Sequence, residues 1–268
     1  MGQIVCDHVS KVWNPDNADA NLAIDEVSFT VNPGEFLVII GPSGCGKSTL
    51  LSMMAGLEMP TAGAMIHNGE PITGPSTDRS MIFQQASLFP WLSVLDNVAF
   101  GRDLQGISKK ERTERAKHYL QQVGLLKSAI RYPHQLSGGM QQRACIARAL
   151  CLGTDVLLMD EPFAALDVQT RHQMQKFLLE LWEGTNKTVV FVTHHIDEAV
   201  YLADRVLILT ANPGRVLENI SIEMERPRDM MSKGFEYHRN LFVDHLRSEV
   251  VRAFEEQELA EMLDTRIK

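Results

Sequence analysis

Residues 41–49 read GPSGCGKST, which places Gly41, Gly46, Lys47 and Ser48 at the offsets of G-x-x-x-x-G-K-[ST]. Glycines let successive backbone N–H groups turn inward around phosphate oxygens, and a helix starting at the end of the run turns its positive N-terminus toward the same anion. Lys47 is then expected to reach the β- and γ-phosphates of a nucleotide, and Ser48 to give a hydroxyl to Mg²⁺. Pro42, Ser43, Gly44, Cys45 and Thr49 complete the nucleotide-binding stretch. The competing reading is a plain glycine turn between strand and helix; the apolar FLVII before it and the helical pattern after it favour a nucleotide. Cys45 reads as a small loop residue, with the nearby helix start as the argument for a reactive thiol.

A second constellation is VLLMDE at 156–161, an apolar run ending in two acids. A buried strand accommodates such acids only where they reach a cation or solvent at its end. Asp160 is expected in the Mg²⁺ shell, and Glu161 beside the terminal phosphate, where a carboxylate orients or deprotonates the attacking water. Alone the pattern is as compatible with a structural role. Beside a phosphate loop it gains force.

The elements that position these groups alternate in type. Residues 3–13 and 22–31 are rich in Val, Ile, Phe and Leu and flank the turn-prone NPDNADAN at 14–21, which reads as a hairpin with a long loop. FLVII at 36–40 has no polar face and suits a strand covered on both sides. From Ser48 the texture is helical, with Pro60 and Gly63 as stops, and Asn68-Gly69 marks a tight hairpin. The stretch from about 86 to 153 reads as a helical insert: Ser108 and Glu111 suggest a capping box, and Ala116, Tyr119, Leu120 and Val123 follow at helical spacing. Strands return at 155–161 and 188–194 around a helix at 168–183, an order that implies a parallel sheet. After the turn at 211–215, residues 235–262 form an amphipathic helix with Phe242, Leu246, Val250, Ala253 and Phe254 on one face. No internal repeat or low-complexity tract occurs.

Composition narrows the function classes. With 268 residues, 44% of them hydrophobic and 22% charged, the chain has enough apolar material for a packed fold. A formal net charge of -8 without a basic stripe disfavours nucleic acid as a partner. No apolar run approaches the roughly 20 residues that span a bilayer, so a membrane role must come through a partner. The start MGQIVC carries no export or lipidation signal, and the four cysteines form no C-x-x-C pair, so a reducing cytoplasm is the expected home.

Between the two constellations lies LSGGMQQR at 136–143, which resembles the signature motif of ABC ATPases. Ser137, Gly138, Gly139 and Gln141 open a helix there and make a second anion-binding end. The resemblance covers residues 3–225. It implies an α/β fold: a P-loop NTPase cassette with a parallel core sheet, an N-terminal antiparallel β subdomain and an inserted helical subdomain at about 86–154, followed by a helical tail at 226–268. In that family each ATP is sandwiched between one subunit's phosphate loop and the other's signature helix in a head-to-tail homodimer, with ATP and Mg²⁺ as ligands. Trp13 resembles the aromatic that stacks on adenine, although a lone aromatic equally fits a core or surface. Gln84, with Gln85 as competitor, resembles the glutamine contacting Mg²⁺ and the attacking water. Asp167 resembles the loop residue that reaches across the dimer, with Ala164 in place of that loop's usual serine. His194, with His195 as the alternative, resembles the histidine on the γ-phosphate.

Within the family, LFPWLSVLDNVAFG at 88–101, DEPFAALD at 160–167, HIDEAVYLADRV at 195–206 and ERPRD at 225–229 resemble importer ATPases for nitrate, sulfonate, taurine and similar compounds. The implied partners are a second copy, two membrane-spanning permease subunits and a substrate-binding protein, with the chain peripheral on the cytoplasmic face of the inner membrane. By the same analogy 86–100 lines a groove for the membrane subunit, although Phe89, Pro90 and Trp91 equally suit packing within the insert. The competing classes are a soluble ABC protein working on ribosomes or DNA ends and a non-hydrolysing scaffold. A single cassette with negative charge weighs against the first, and the presence of Lys47, Asp160, Glu161 and His194 against the second.

Overall fold

A computed structural model describes residues 2–17, 20–185 and 187–267, and side chains in the last helix as far as Val251, Val250 excepted. The chain begins with β1 (Ile4–Trp13), β2 (Asn21–Val31), β3 (Phe36–Ile40), α1 (Lys47–Ala55), β4 (Ala62–His67), β5 (Glu70–Pro71) and β6 (Arg79–Ile82). Helices α2 (Val94–Leu104), α3 (Lys109–Gln122) and α4 (Gly138–Leu152) follow, with two 3₁₀ turns before α4. Then come β7 (Val156–Asp160), α5 (Val168–Glu183), β8 (Thr188–Val192), α6 (Ile196–Leu202), β9 (Arg205–Leu209), β10 (Val216–Ser221) and α7 (Lys233–Ile267). Backbone contacts divide the chain into two units: a glycine-loop unit, Gln3–Pro75 with Val190–Lys268, and a helical unit, Met1–Gly2 with Ser76–Val189. Residues of β8 belong to both.

In the glycine-loop unit, β1 pairs antiparallel with β2 and with β4, giving a sheet of order β2-β1-β4-β5. The hairpin between β4 and β5 turns at Asn68 and Gly69, both at positive φ (52° and 87°), the conformation that a two-residue primed turn requires. The other strands run in the order β10-β9-β3-β8, with β3 parallel to β9 and β10 antiparallel to it. All five residues of β3 are buried, as their unbroken apolar run requires, and Phe36 meets Phe191 of β8 with ring centroids 6.1 Å apart. Helix α1 ends earlier than Pro60 and Gly63 suggested. Gly56, at φ 76°, is its left-handed cap and donates to the Met53 carbonyl.

Helix α7 starts two residues before the expected Phe235. Phe235 and Phe242 are buried and Leu246 is half-buried; the Val250, Ala253 and Phe254 side chains lie outside the described residues, as do Ala18 and Asp19 of the first loop. Arg228 holds the tail onto α6. Its guanidinium donates to the carbonyls of Val200 (2.7 Å) and Ala203 (2.6 Å), and burial pushes it down to about 10.

In the helical unit β6 runs parallel to β7, which lies between β6 and β8. The insert becomes α-helical only at Val94, where Ser93 caps α2 by accepting from the Asp96 N–H. Ser108 caps α3 through the Glu111 N–H at 3.3 Å, and Ala116, Leu120 and Val123 are buried while Tyr119 is half-exposed. Helix α5 spans the expected 168–183. Among the described residues no helix is long and apolar enough to cross a membrane.

Candidate functional site

In the glycine-loop unit the 41–49 run leaves β3 and enters α1. A Cβ on Gly41 would lie 2.7 Å from Cys45 Sγ, and one on Gly46 would lie 2.5 Å from Ile24 Cδ1 with φ already at 88°. Larger residues are excluded at both, which keeps the backbone close-drawn. Lys47 is 7% exposed, and its ammonium donates to the Gly41 and Pro42 carbonyls at 2.8 Å each. Ser43, Gly44 and Ser48 are exposed, while Pro42 and Thr49 are half-buried. Cys45 is buried; burial raises its thiol pKa, with the neighbouring Lys47 opposing, so its geometry favours the small-residue reading over a reactive thiol.

Two further candidates lie in this unit. Trp13 ends β1, half-buried, with the Lys11 ammonium 4.5 Å from its ring centroid. His194 follows β8 and is exposed, its ring 4.2 Å from that of His195. His195 is the N-cap residue of α6, and its N–H donates to Thr193 Oγ1, which itself donates to buried Glu198 at 2.6 Å. The backbone of His195 is thus committed to the turn, and His194 is the more open ring.

The helical unit brings Gln84 and Glu161 together. Gln84 Nε2 donates to Glu161 Oε2 at 3.2 Å, two residues past the end of β6 and one past the end of β7. Glu161 is held at φ 44°, a conformation costly for a residue with a Cβ. Asp160, the last residue of β7, is 7% exposed. Within this unit Gln84 and Asp160 each offer a side-chain oxygen, the ligand type that suits Mg²⁺. Gln85 is exposed.

Helix α4 opens as the motif suggested: Ser137 caps it by accepting from the Met140 N–H at 3.4 Å, and Ser137 and Gly138 are exposed. Gln141 turns back, its Nε2 donating to the Pro133 carbonyl at 2.9 Å. Asp167 caps α5 through the Thr170 N–H and hydroxyl at 3.0 and 2.7 Å, hydrogen bonds that lower its pKa. Sequence reading missed Gln142, which is 1% exposed and donates to the Phe83 carbonyl, tying α4 to the segment that carries Gln84. The adjacent glutamines in MQQR gave no sign of which faces inward until helix phase was known.

The helical unit also holds a cavity of about 380 Å³, lined by Met81, Phe83, Phe89, Phe100, Cys145 and Arg148 among others. Arg148 bonds both the Ser87 carbonyl and its hydroxyl, at 2.8 and 2.9 Å, and lies over the Phe89 ring. Trp91, stacked at an angle on Phe89, is 71% exposed, so the aromatic run divides between packing and surface. The glycine loop, Gln84, the Asp160–Glu161 pair and His194 each follow the carboxyl end of a strand, where open α/β sheets bind ligands.

Comparison with known proteins gives a consistent result. Residues 24–164 match the family model described as ABC transporter. The taurine import ATP-binding protein of Chromobacterium violaceum is 47% identical over 82% of this chain and 83% of its own, and the nitrate import ATP-binding protein of Synechocystis sp. is 46% identical over 76% of both. Among solved structures, a dimeric ATP-binding cassette in a post-hydrolysis state bound to ADP and Pi aligns with a TM-score of 0.76 at 32% identity, covering 83% of this chain and all of the other.

Proposed function

The chain belongs to the ABC transporter family, and from that membership we propose that it is an ATP-hydrolysing subunit that converts ATP and water to ADP and phosphate and drives import of a small compound through separate membrane subunits. The observation that carries the reading is the Gln84–Glu161 hydrogen bond at the end of β7, which sets a carboxylate and an amide where a water molecule can be oriented. The loop backbone at Gly41, Gly44 and Gly46 and the Lys47 ammonium would hold the phosphates, Trp13 the adenine, and His194 the terminal phosphate. Ser48, Asp160 and Gln84 would hold Mg²⁺, which offsets charge on the transferring phosphoryl group. Lys47 must release the Gly41 and Pro42 carbonyls to reach a phosphate.

Ser137, Gly138, Gly139 and Gln141 would meet the nucleotide of a second copy, with Asp167 at the same dimer interface; the dimeric form of the similar cassette supports that arrangement. The cassette would comprise residues 1–225, including the helical subdomain at about 86–154, with 226–268 as a packing tail. The cavity beside Phe89 and the exposed Trp91 would receive a segment of a permease subunit, placing the chain peripherally on the cytoplasmic face of the membrane. A binding protein would deliver the substrate. Relatives named for nitrate and for taurine stand at nearly equal identity, so the proposal extends to that class of small compounds and to no single member.

Phosphate release from ATP tests this, with the chain alone and reconstituted with its permease subunits. Glu161→Gln is expected to keep MgATP binding and lose at least about 100-fold in turnover, the scale of a lost general base. Unchanged steady-state hydrolysis in that variant would remove Glu161 from the mechanism. ATP binding without turnover in either preparation of the parent chain would favour the scaffold reading.

A further inference from the structure

Glu249 on α7 is 5% exposed, and its Oε2 accepts a hydrogen bond at 3.1 Å from the N–H of Ala211, itself 2% exposed. Ala211 lies in the 210–215 turn that joins β9 to β10. The turn is stiffened by its own bonds: Thr210 Oγ1 donates to the Pro213 carbonyl at 2.7 Å and accepts from the Arg215 N–H at 2.9 Å. Its other side rests on the glycine loop. A Cβ added to Gly214 would overlap the Cys45 carbonyl oxygen, and one on Gly41 would come 3.0 Å from the Leu209 carbonyl. The Gly214 N–H also donates to Ala23 at 3.0 Å, and the next residue, Ile24, fills the space beneath Gly46. Every residue in this chain of contacts lies in the glycine-loop unit.

We infer that Glu249 is a positioning residue for the phosphate loop: its carboxylate fixes the 210–215 turn, and the turn supports the loop backbone at Gly41, Cys45 and Gly46. The inference rests on the nucleotide-binding reading of that loop. A buried N–H needs a partner, and the Glu249 side-chain oxygen supplies it for Ala211. Close-packed backbone passes a displacement of the turn to the loop rather than absorbing it. The C-terminal helix thereby influences nucleotide affinity without touching nucleotide.

The test measures MgATP affinity by calorimetry and amide hydrogen exchange over residues 41–46 in the nucleotide-free, full-length chain. Glu249→Ala, and Glu249→Asp with its shorter reach, are expected to weaken MgATP binding about threefold to tenfold and to hasten exchange at 41–46. Glu249→Gln keeps an oxygen that can accept from Ala211 and is expected within about twofold of the parent. Arg239→Ala, which removes the exposed Arg239–Asp197 pair between α7 and α6, is expected to match it. Parent-like affinity and exchange in the Ala and Asp variants would overturn the inference, as would a Gln variant or Arg239→Ala as impaired as Glu249→Ala. If Glu249→Ala does not fold, the Asp and Gln variants decide between the outcomes. A parent chain that binds no MgATP would sink the nucleotide reading instead, while exchange at 41–46 would still decide the positioning role.

Discussion

Lys47 spends its hydrogen bonds on the Gly41 and Pro42 carbonyls, so the glycine loop keeps its curvature around an internal cation. The same burial governs Cys45. All four cysteines are buried, and burial raises every thiol, Cys6 to about 12. At pH 8 each therefore carries less thiolate than a free cysteine. The folded chain is expected to show no fast-reacting thiol with a disulfide reagent at that pH, and four after denaturation. One rapid thiol protected by MgATP would restore the reactive reading of Cys45. At this scale the sequence was most legible where spacing itself defines the chemistry, as in 41–49 and 156–161. It was ambiguous for Gln84 against Gln85, because adjacent side chains after a strand point apart and only the fold shows which one meets Glu161.

At the scale of elements, α4 isolates one question. Ser137 caps it, so Ser137→Ala is expected to cost about 1 kcal/mol of unfolding free energy in a urea titration. Ser137→Asp keeps a cap and the stability, but it puts a negative charge where the proposal brings a phosphate, and turnover should fall sharply. An Asp variant with parent-like hydrolysis would leave α4 with a structural role alone. The buried strands β3, β7 and β8 were legible because runs of four or five consecutive apolar residues admit little else. Strand β9 is buried at four of its five positions and was missed, and so were α6 and β10, because α6 has only seven residues and β10 is largely exposed. The end of α1 was misplaced because Gly56, a stop through its left-handed φ, reads in sequence as one small residue within a helical run.

For the whole molecule, the proposal requires two copies for one turnover. Glu161→Gln with MgATP is expected to shift the 30.1 kDa chain to twice that mass in light scattering, and ADP to return it to the monomer. A variant that binds MgATP and stays monomeric would remove Ser137 and Asp167 from the nucleotide chemistry. The fold class was readable because the order of motifs along the chain follows the order of strands and helices. The transported compound was not, since a fold hosts many functions and the proposal places recognition of the cargo on other polypeptides.

The backbone at Glu161 places function and durability in opposition. Its φ of 44° suits glycine better than glutamate, and a Cβ there carries a conformational cost. Screening a mutant library for heat resistance alone would therefore enrich glycine at 161 and discard the carboxylate. Any thermostabilised form of this protein obtained without an activity screen should be sequenced at that codon before its turnover is interpreted.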